Sequence, residues 1–141
     1  HQEGADPGSI RTAECSVFGA EEAVTLARAQ ENGEVERFRR LCTPAEVQVL
    51  RIGDTFIAGL PGELFVEYAL AIQRRAPGRA FVVSLANGEL QGYIVTAEAS
   101  GYEADLGIFA PEAGGVMVEA AVGLMEQLNS RERIYYANQT E

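Results

Sequence analysis

The spacing of apolar residues changes along the chain, and each spacing predicts a different element. From Ser16, apolar residues recur at helical intervals until Asn32-Gly33, which predicts a first helix. Residues 45–51 alternate polar and apolar side chains, whereas residues 55–60 are more continuously apolar. Because only a tight turn at Gly53-Asp54 separates these two segments, they predict an antiparallel hairpin whose second strand is the more central one.

The remainder of the chain predicts two more helices and two more extended segments. Helical spacing returns at residues 64–75, residues 80–85 predict a third strand, and residues 91–96 predict a fourth. A last helix is predicted from Pro111 to about Leu128. The expected fold class is therefore α+β, with a mixed or mostly antiparallel sheet of about four strands and three packed helices. The hairpin and the third strand should form the centre of the sheet.

The two ends differ in composition from the segment between them. Residues 1–14 are rich in Gly, Asp, Pro, Ser and Glu, which predicts a flexible leader. Residues 131–141 predict a tail, which is either one more short strand or a frayed end. Residues 15–130 are expected to form the folded region of the chain, with no internal repeat or linker.

Composition excludes several classes of function. The chain has 21 acidic and 11 basic residues, a net charge of −10, no Lys, and a single His at position 1. Nucleic-acid binding is not expected, because it requires clustered positive charge. A Lys nucleophile and a metal site built from His are excluded, and a Ser-His-Asp or Cys-His site is disfavoured. Pro61, Gly62 and two Glu interrupt the apolar stretch 56–72, so no membrane span is predicted.

The two cysteines leave the redox question open. Cys15 and Cys42 fit a disulfide in an oxidising compartment, and they fit two buried thiols equally well. No Cys-x-x-Cys pair indicates a metal site.

The junction between the second strand and the second helix, residues 59–67, is the first candidate site. Glu63 follows Pro61-Gly62 and is predicted to lie in the first helical turn. One interpretation is a carboxylate that caps the helix or interacts with its dipole. The other is a functional carboxylate held at the edge of a sheet, where α/β sites collect their ligands.

Tyr93, in the segment 87–96, is the second candidate. It follows a turn and Gly92, which would bring its ring near a strand end. A half-buried packing tyrosine whose hydroxyl finds a partner is the alternative. Two weaker signals are Gly101-Tyr102-Glu103, which reads as a loop with an anchoring aromatic, and Gly114-Gly115, which would allow close approach to the last helix.

The order of these segments resembles the neutral/alkaline, non-lysosomal ceramidase family, and most of all its shorter bacterial members. The resemblance covers residues 20–128. Its most specific parts are Pro61-Gly62-Glu63 after an apolar strand and, further along, Gly92-Tyr93-Ile94-Val95-Thr96.

The resemblance implies a zinc-dependent amidohydrolase of sphingolipid metabolism that cleaves the N-acyl amide bond of ceramide-type lipids. Zinc in that family is bound by two His, one Glu and one Tyr, and the last two fall on Glu63 and Tyr93. Tyr93 is also expected to act catalytically, by stabilising the oxyanion of the tetrahedral intermediate. A secreted or periplasmic location is suggested by the family alone.

The chain departs from this family because the two His ligands belong to an earlier part of the family's sequence. The resemblance therefore predicts that residues 15–130 are the C-terminal part of a larger catalytic domain. This part should be inactive alone, and its partner should be the missing N-terminal part or a dimer mate. Such a part should expose an apolar face. The alternative is a non-catalytic binding or assembly module that has kept the fold.

Overall fold

The computed structural model describes the chain at residue 4, over residues 6–87 and over residues 92–137, with residues 131–137 as backbone alone. Within these ranges the elements, in chain order, are α1 (Pro7–Glu31), α2 (Glu34–Cys42), β1 (Gln48–Ile52), β2 (Thr55–Gly59), β3 (Glu63–Leu64), α3 (Val66–Arg75), β4 (Arg79–Val83), β5 (Tyr93–Ile94), α4 (Tyr102–Asp105) and α5 (Glu112–Ala137). The α+β class is confirmed. The described ranges hold five helices and five strands, more than the three helices and about four strands expected.

The main sheet is mixed and has β2 at its centre. β1 pairs antiparallel with β2, as the hairpin pattern predicts, and β4 pairs parallel with β2 on its other side. The parallel pairing follows from the crossover through α3, which returns the chain to the same end of the sheet. The shorter β3 and β5 do not join this sheet but form a separate two-stranded ladder.

One face of the main sheet packs against α3 and α5 to form the core. Phe56 and Ala58 of β2 and Ile72 of α3 are completely or almost completely buried. The buried stripe of α5 consists of Met117, Val118, Ala121, Val122 and Met125. Burial of these side chains is the main contribution to the stability of the fold.

The opposite face of the main sheet is apolar and exposed. Leu50, Ile57 and Phe81 form one row across the three strands, and Ile52 and Val83 extend it on the edges. Leu50, Ile52, Phe81 and Val83 are each about half exposed or more. A protein layer normally covers an apolar sheet face of this kind.

The first helix begins earlier than the sequence pattern indicates. Residues 7–14, assigned above to a flexible leader, belong to α1. The Asp6 carboxylate accepts a hydrogen bond of 3.1 Å from the Ser9 N–H, and Pro7 occupies the first turn. An Asp cap followed by Pro is a helix-start signal that the leader interpretation overlooked.

Two further boundaries differ from expectation. α2, which follows the predicted stop at Asn32-Gly33, was not predicted; glutamates in its first turn and arginines in its last turn favour it. α5 continues to Ala137 rather than ending near Leu128, so residues 131–137 of the predicted tail are helical. Residues 138–141, the rest of that tail, lie outside the described residues, as do residues 1–3 and 5 of the predicted leader and Gln91 at the start of the predicted fourth strand.

Two other expectations concern thiols and membranes. Cys15 and Cys42 are free thiols, the first exposed and the second half-buried. None of the helices in the described part of the chain combines the length and the hydropathy that a membrane crossing requires.

Candidate functional site

The two residues singled out from the sequence, Glu63 and Tyr93, lie opposite each other in the short parallel ladder of β3 and β5. A buried Leu60-Pro61-Gly62 segment leads from the central strand into this ladder. Gly62 has φ +81°, a conformation that favours glycine and redirects the chain into β3. The Phe65 N–H donates to the Ile94 carbonyl over 3.1 Å and extends the pairing.

Glu63 is not in a helix. It lies in β3 and is exposed, whereas α3 begins at Val66 with Phe65 as its cap residue. The expected position in the first helical turn is therefore wrong, and with it the interpretation as a capping carboxylate. Pro61-Gly62 does not start a helix, because Gly62 has a left-handed conformation and leads into a two-residue strand.

Tyr93 is half-buried between two aromatic rings. Its ring meets Phe65 and Tyr102 edge to face, with centroids 6.4 Å away in both cases. Hydrogen bonding with Tyr102, and then burial, raise the pKa of Tyr93 to about 12, and the carboxylates of Glu63 and Glu103 act in the same direction. The phenol is consequently a neutral hydrogen-bond donor at physiological pH.

Glu63 and Tyr93 border a cavity of about 410 Å³ with several oxygen-bearing side chains. Glu67 of α3, Ser84 after β4 and Glu103 of α4 contribute to the same lining. Among the described residues that line it, none is basic. The cavity therefore favours a cation or a hydrogen-bond donor over an anion.

From the sequence, Tyr102 and Glu103 are expected only to belong to a loop with an anchoring aromatic residue. The structure places both in α4, with Tyr102 on the ring of Tyr93 and Glu103 in the cavity lining. The clue available in the sequence was the Gly101-Tyr102-Glu103 run itself. Its position relative to Tyr93 depends on the tertiary fold, so local patterns did not reveal it.

Glu63 and Tyr93 offer two oxygen donors, which can be compared with the ligands that a zinc ion requires. A carboxylate and a phenol are acceptable oxygen donors, and the ladder places their residues side by side. Zinc in proteins takes mostly nitrogen and sulfur ligands, with three protein ligands in a catalytic site. Within the described part of the chain, His, Cys, Asp and Glu form no group of three that could hold a metal. The pair therefore fits as two ligands of a larger set and requires others.

Tyr68 of α3 fixes the strand that carries Tyr93. Its hydroxyl lies 2.8 Å from the carbonyl oxygens of Val95, directly after β5, and of Pro111, directly before α5. Its ring occupies the space beside Gly114, where an added Cβ would lie 2.2 Å from the ring carbon Cζ. The close approach expected at Gly114-Gly115 thus occurs at Gly114, with a side chain of the protein itself, whereas Gly115 faces open space.

Two other cavities lie near the ladder. One of about 330 Å³ borders Tyr93 and Tyr102 on the side of α1. The other, an apolar groove of about 750 Å³ along α5, is lined in part by Pro61, Phe109 and Met117, and neither Glu63 nor Tyr93 borders it. The oxygen donors thus belong to the 410 Å³ cavity rather than to the apolar groove.

Comparisons of the chain with protein-family models, with curated proteins and with solved structures found no match. The sequence patterns and the geometry of the ladder are therefore the basis for a functional hypothesis.

Proposed function

We propose that this chain is the C-terminal part of a ceramidase-like, zinc-dependent amidohydrolase that cleaves the N-acyl amide bond of ceramide-type lipids. Glu63 and Tyr93 are its two contributions to the zinc site. The observation that supports the proposal best is the register of β3 and β5, which pairs these two residues although they are far apart in sequence.

The two residues have different roles in this proposal. Glu63 supplies a carboxylate oxygen to the metal from the exposed side of β3. Tyr93 would supply its phenol oxygen as the second ligand and would also stabilise the oxyanion that develops on the amide carbonyl. Zinc, when bound, would lower the pKa of a coordinated water and polarise the carbonyl. In the proposed reaction a water would add to the carbonyl carbon, the C–N bond would break, and the proton given up by the water would pass to the leaving nitrogen, so that the products are a fatty acid and an amine.

In this proposal the remaining ligands are two histidines, which belong to a preceding N-terminal part of the catalytic domain. The 141-residue chain alone should then be inactive, because two oxygen ligands leave half of a tetrahedral zinc site to water. Zinc offered to the chain alone should be lost on gel filtration.

A paired substitution tests the proposal in a protein that includes the preceding sequence. Glu63→Gln removes the proposed ligand charge, and Glu67→Gln removes a carboxylate from the same cavity without touching the ladder. We expect about one zinc per protein and amidase activity in the parent and in E67Q. E63Q should lose the metal and at least about a hundredfold of the activity, since even residues outside the ligand shell contribute up to that much. Equal metal content and activity in both variants would show the assignment to be wrong.

A second candidate function is a non-catalytic assembly module. The observation that favours it is the exposed apolar face of the main sheet around Leu50 and Phe81, which a binding partner would cover. The sequence that precedes residue 1 distinguishes the two candidate functions. Two histidines in extended, Gly-rich segments there favour the enzyme, and a start codon immediately before this chain favours the module.

A further inference from the structure

Helix α1 packs against Tyr102 and lies across a cavity from Tyr93. A cavity of about 330 Å³ separates part of α1 from Tyr93, and its walls are Arg11, Glu14, Cys15 and Phe18 of α1 with Tyr93, Tyr102 and Leu106 opposite. At Gly19 the helix and Tyr102 are in contact, since a Cβ added there would lie 3.1 Å from the Tyr102 Cβ. Tyr93 therefore borders two cavities, one that α1 lines and one that Glu63 lines.

The packing of α1 is weak compared with its length. The helix has 25 residues, and none of them is buried. Val17, Phe18 and Val24 remain more than half exposed. Segments that bury little apolar surface open at a much lower free energy than the core of the same protein.

The attachment of α1 is also local. Its main packing partners are α2, which follows it in sequence, and the four-residue α4, rather than the main sheet. The core residues of β2, α3 and α5 make their contacts with one another. Separation of α1 from α4 would thus leave the core intact.

We propose that α1 is a movable cover over Tyr93, which closes one side of the candidate site and detaches from α4 as a unit to open it. The proposed cover and its opening are inferred from the packing of α1 alone. Only the idea that the Tyr93 oxygen then binds a metal or substrate rests on the proposed function. A ligand that requires this side of Tyr93 would bind the open state and shift the population towards it.

Chemical nitration of tyrosines tests the cover in the chain without any metal. Tetranitromethane is the probe, and peptide mass spectrometry measures the rate at each tyrosine. Gly19→Leu places a side chain between α1 and Tyr102, whereas Ala20→Leu adds the same side chain at the next, exposed position of the same helix. We expect G19L to raise the nitration rate of Tyr93 about fivefold or more, as modest destabilisation of a closed state implies. A20L should leave the rate as in the parent chain.

Tyr68 is the internal control, because it lies between α3 and α5. Its nitration should stay slow in all three proteins. Equal rates at Tyr93 in G19L and A20L would overturn the cover, and so would a parallel rise at Tyr68, since that would mean the whole chain opens together. The assay contains no zinc, so its outcome is separate from that of the E63Q and E67Q comparison.

Hydrogen exchange of the unmodified chain tests the same proposal if G19L does not fold. Amides in the middle of α1 should exchange faster than those of α3 and of residues 116–126 in α5, under conditions where the core stays protected. Equal protection of α1 and α5 would overturn the proposal.

Discussion

The N-terminal helix pair, α1 with α2, and the sheet-centred core of β1, β2, β4, α3 and α5 are built on different principles. Residues 7–42 contain no buried side chain. The buried apolar side chains of the described residues all lie between Phe56 and Met125. Caps and surface ion pairs support the helix pair, whereas packing supports the core. Side-chain identity should therefore matter greatly in the core and little in the pair.

The candidate site lies where these two regions meet. Glu63 and Tyr93 are held by a ladder that the core positions through Leu60 and Tyr68. Helix α1 lines a cavity that Tyr93 also borders. In such a site the β3–β5 ladder is rigid and α1 is weakly attached. Binding groups on a rigid element are positioned precisely, and a weakly attached element leaves access to them.

The largest contrast is expected from truncation in the two regions. Met125→Ala removes a completely buried side chain and should lower the free energy of unfolding by about 2–5 kcal/mol. Val17→Ala removes an exposed side chain of α1 and should change it by less than about 0.5 kcal/mol. Urea denaturation followed by circular dichroism measures both. Similar losses in the two variants would contradict the division into two regions.

Two adjacent glycines of α5 test the packing at the base of the site. Gly114→Ala forces a methyl group into the Tyr68 ring and should destabilise the protein by about 1–3 kcal/mol. Gly115→Ala meets open space and should stabilise the helix by up to about 1 kcal/mol. The same denaturation experiment gives both values. Changes of the same sign would mean that the ring of Tyr68 does not lie beside Gly114.

Tyr68→Phe tests the hydroxyl that joins β5 to α5. The Val95 and Pro111 carbonyls lose their donor, so stability at neutral pH should fall by about 1–3 kcal/mol. Burial, with the carboxylates Glu98, Glu112 and Glu67, raises the pKa of Tyr68 above its ordinary value.

The raised pKa also predicts a pH dependence. The folded protein holds the Tyr68 proton more tightly than the unfolded chain, so this stability is fully present below about pH 10 and is lost as the pH rises through the folded pKa. The difference in unfolding free energy between wild type and Y68F should therefore become smaller as the pH is raised above 10. Tyr93 is present in both proteins, so its own ionisation does not affect this difference. A constant difference would contradict the assignment.

The smallest effect is expected in α2. Arg39 and Arg40 hold the pKa of the Glu36 carboxyl at about 2 by hydrogen bonds. The stabilisation of α2 by these hydrogen bonds is fully present above pH 4.5, the ordinary pKa of a Glu carboxyl, and is lost as the pH falls through about 2. Because the three side chains are exposed to solvent, Glu36→Gln should leave global unfolding unchanged and only speed amide exchange within α2. A shift in global unfolding as large as that of G114A would place α2 in the core.

The predictable parts of the fold were those coded by local patterns. Alternation in residues 45–51 and the turn at Gly53-Asp54 gave the hairpin, and the continuous apolar run 55–60 gave the central strand. The start of α1 was missed because its signal, Asp6 with Pro7, lies in a segment whose composition resembles a leader. The end of α5 was missed because the apolar stripe stops near Leu128 although the helix continues.

The candidate site was only partly predictable, for a different physical reason. The motifs around Glu63 and Tyr93 identified the residues, but their pairing depends on a parallel ladder of two residues per strand, too short to produce a periodic signal. The helical placement of Glu63 was wrong because Pro-Gly precedes helices and strands alike. The positions of Tyr102, Glu103 and α1 around Tyr93 result from tertiary packing that no local pattern encodes.

The most direct test of the proposed zinc site is the position of the metal in a protein that includes the proposed N-terminal part. A crystal structure of the chain with its preceding sequence, with anomalous data at the zinc edge, locates the metal independently of activity. We expect one zinc at about 2.0–2.2 Å from a Glu63 carboxylate oxygen, with the Tyr93 oxygen as a further ligand. A fully occupied zinc elsewhere in an active amidase, with Glu63 and Tyr93 away from it, would show that these residues do not bind the metal.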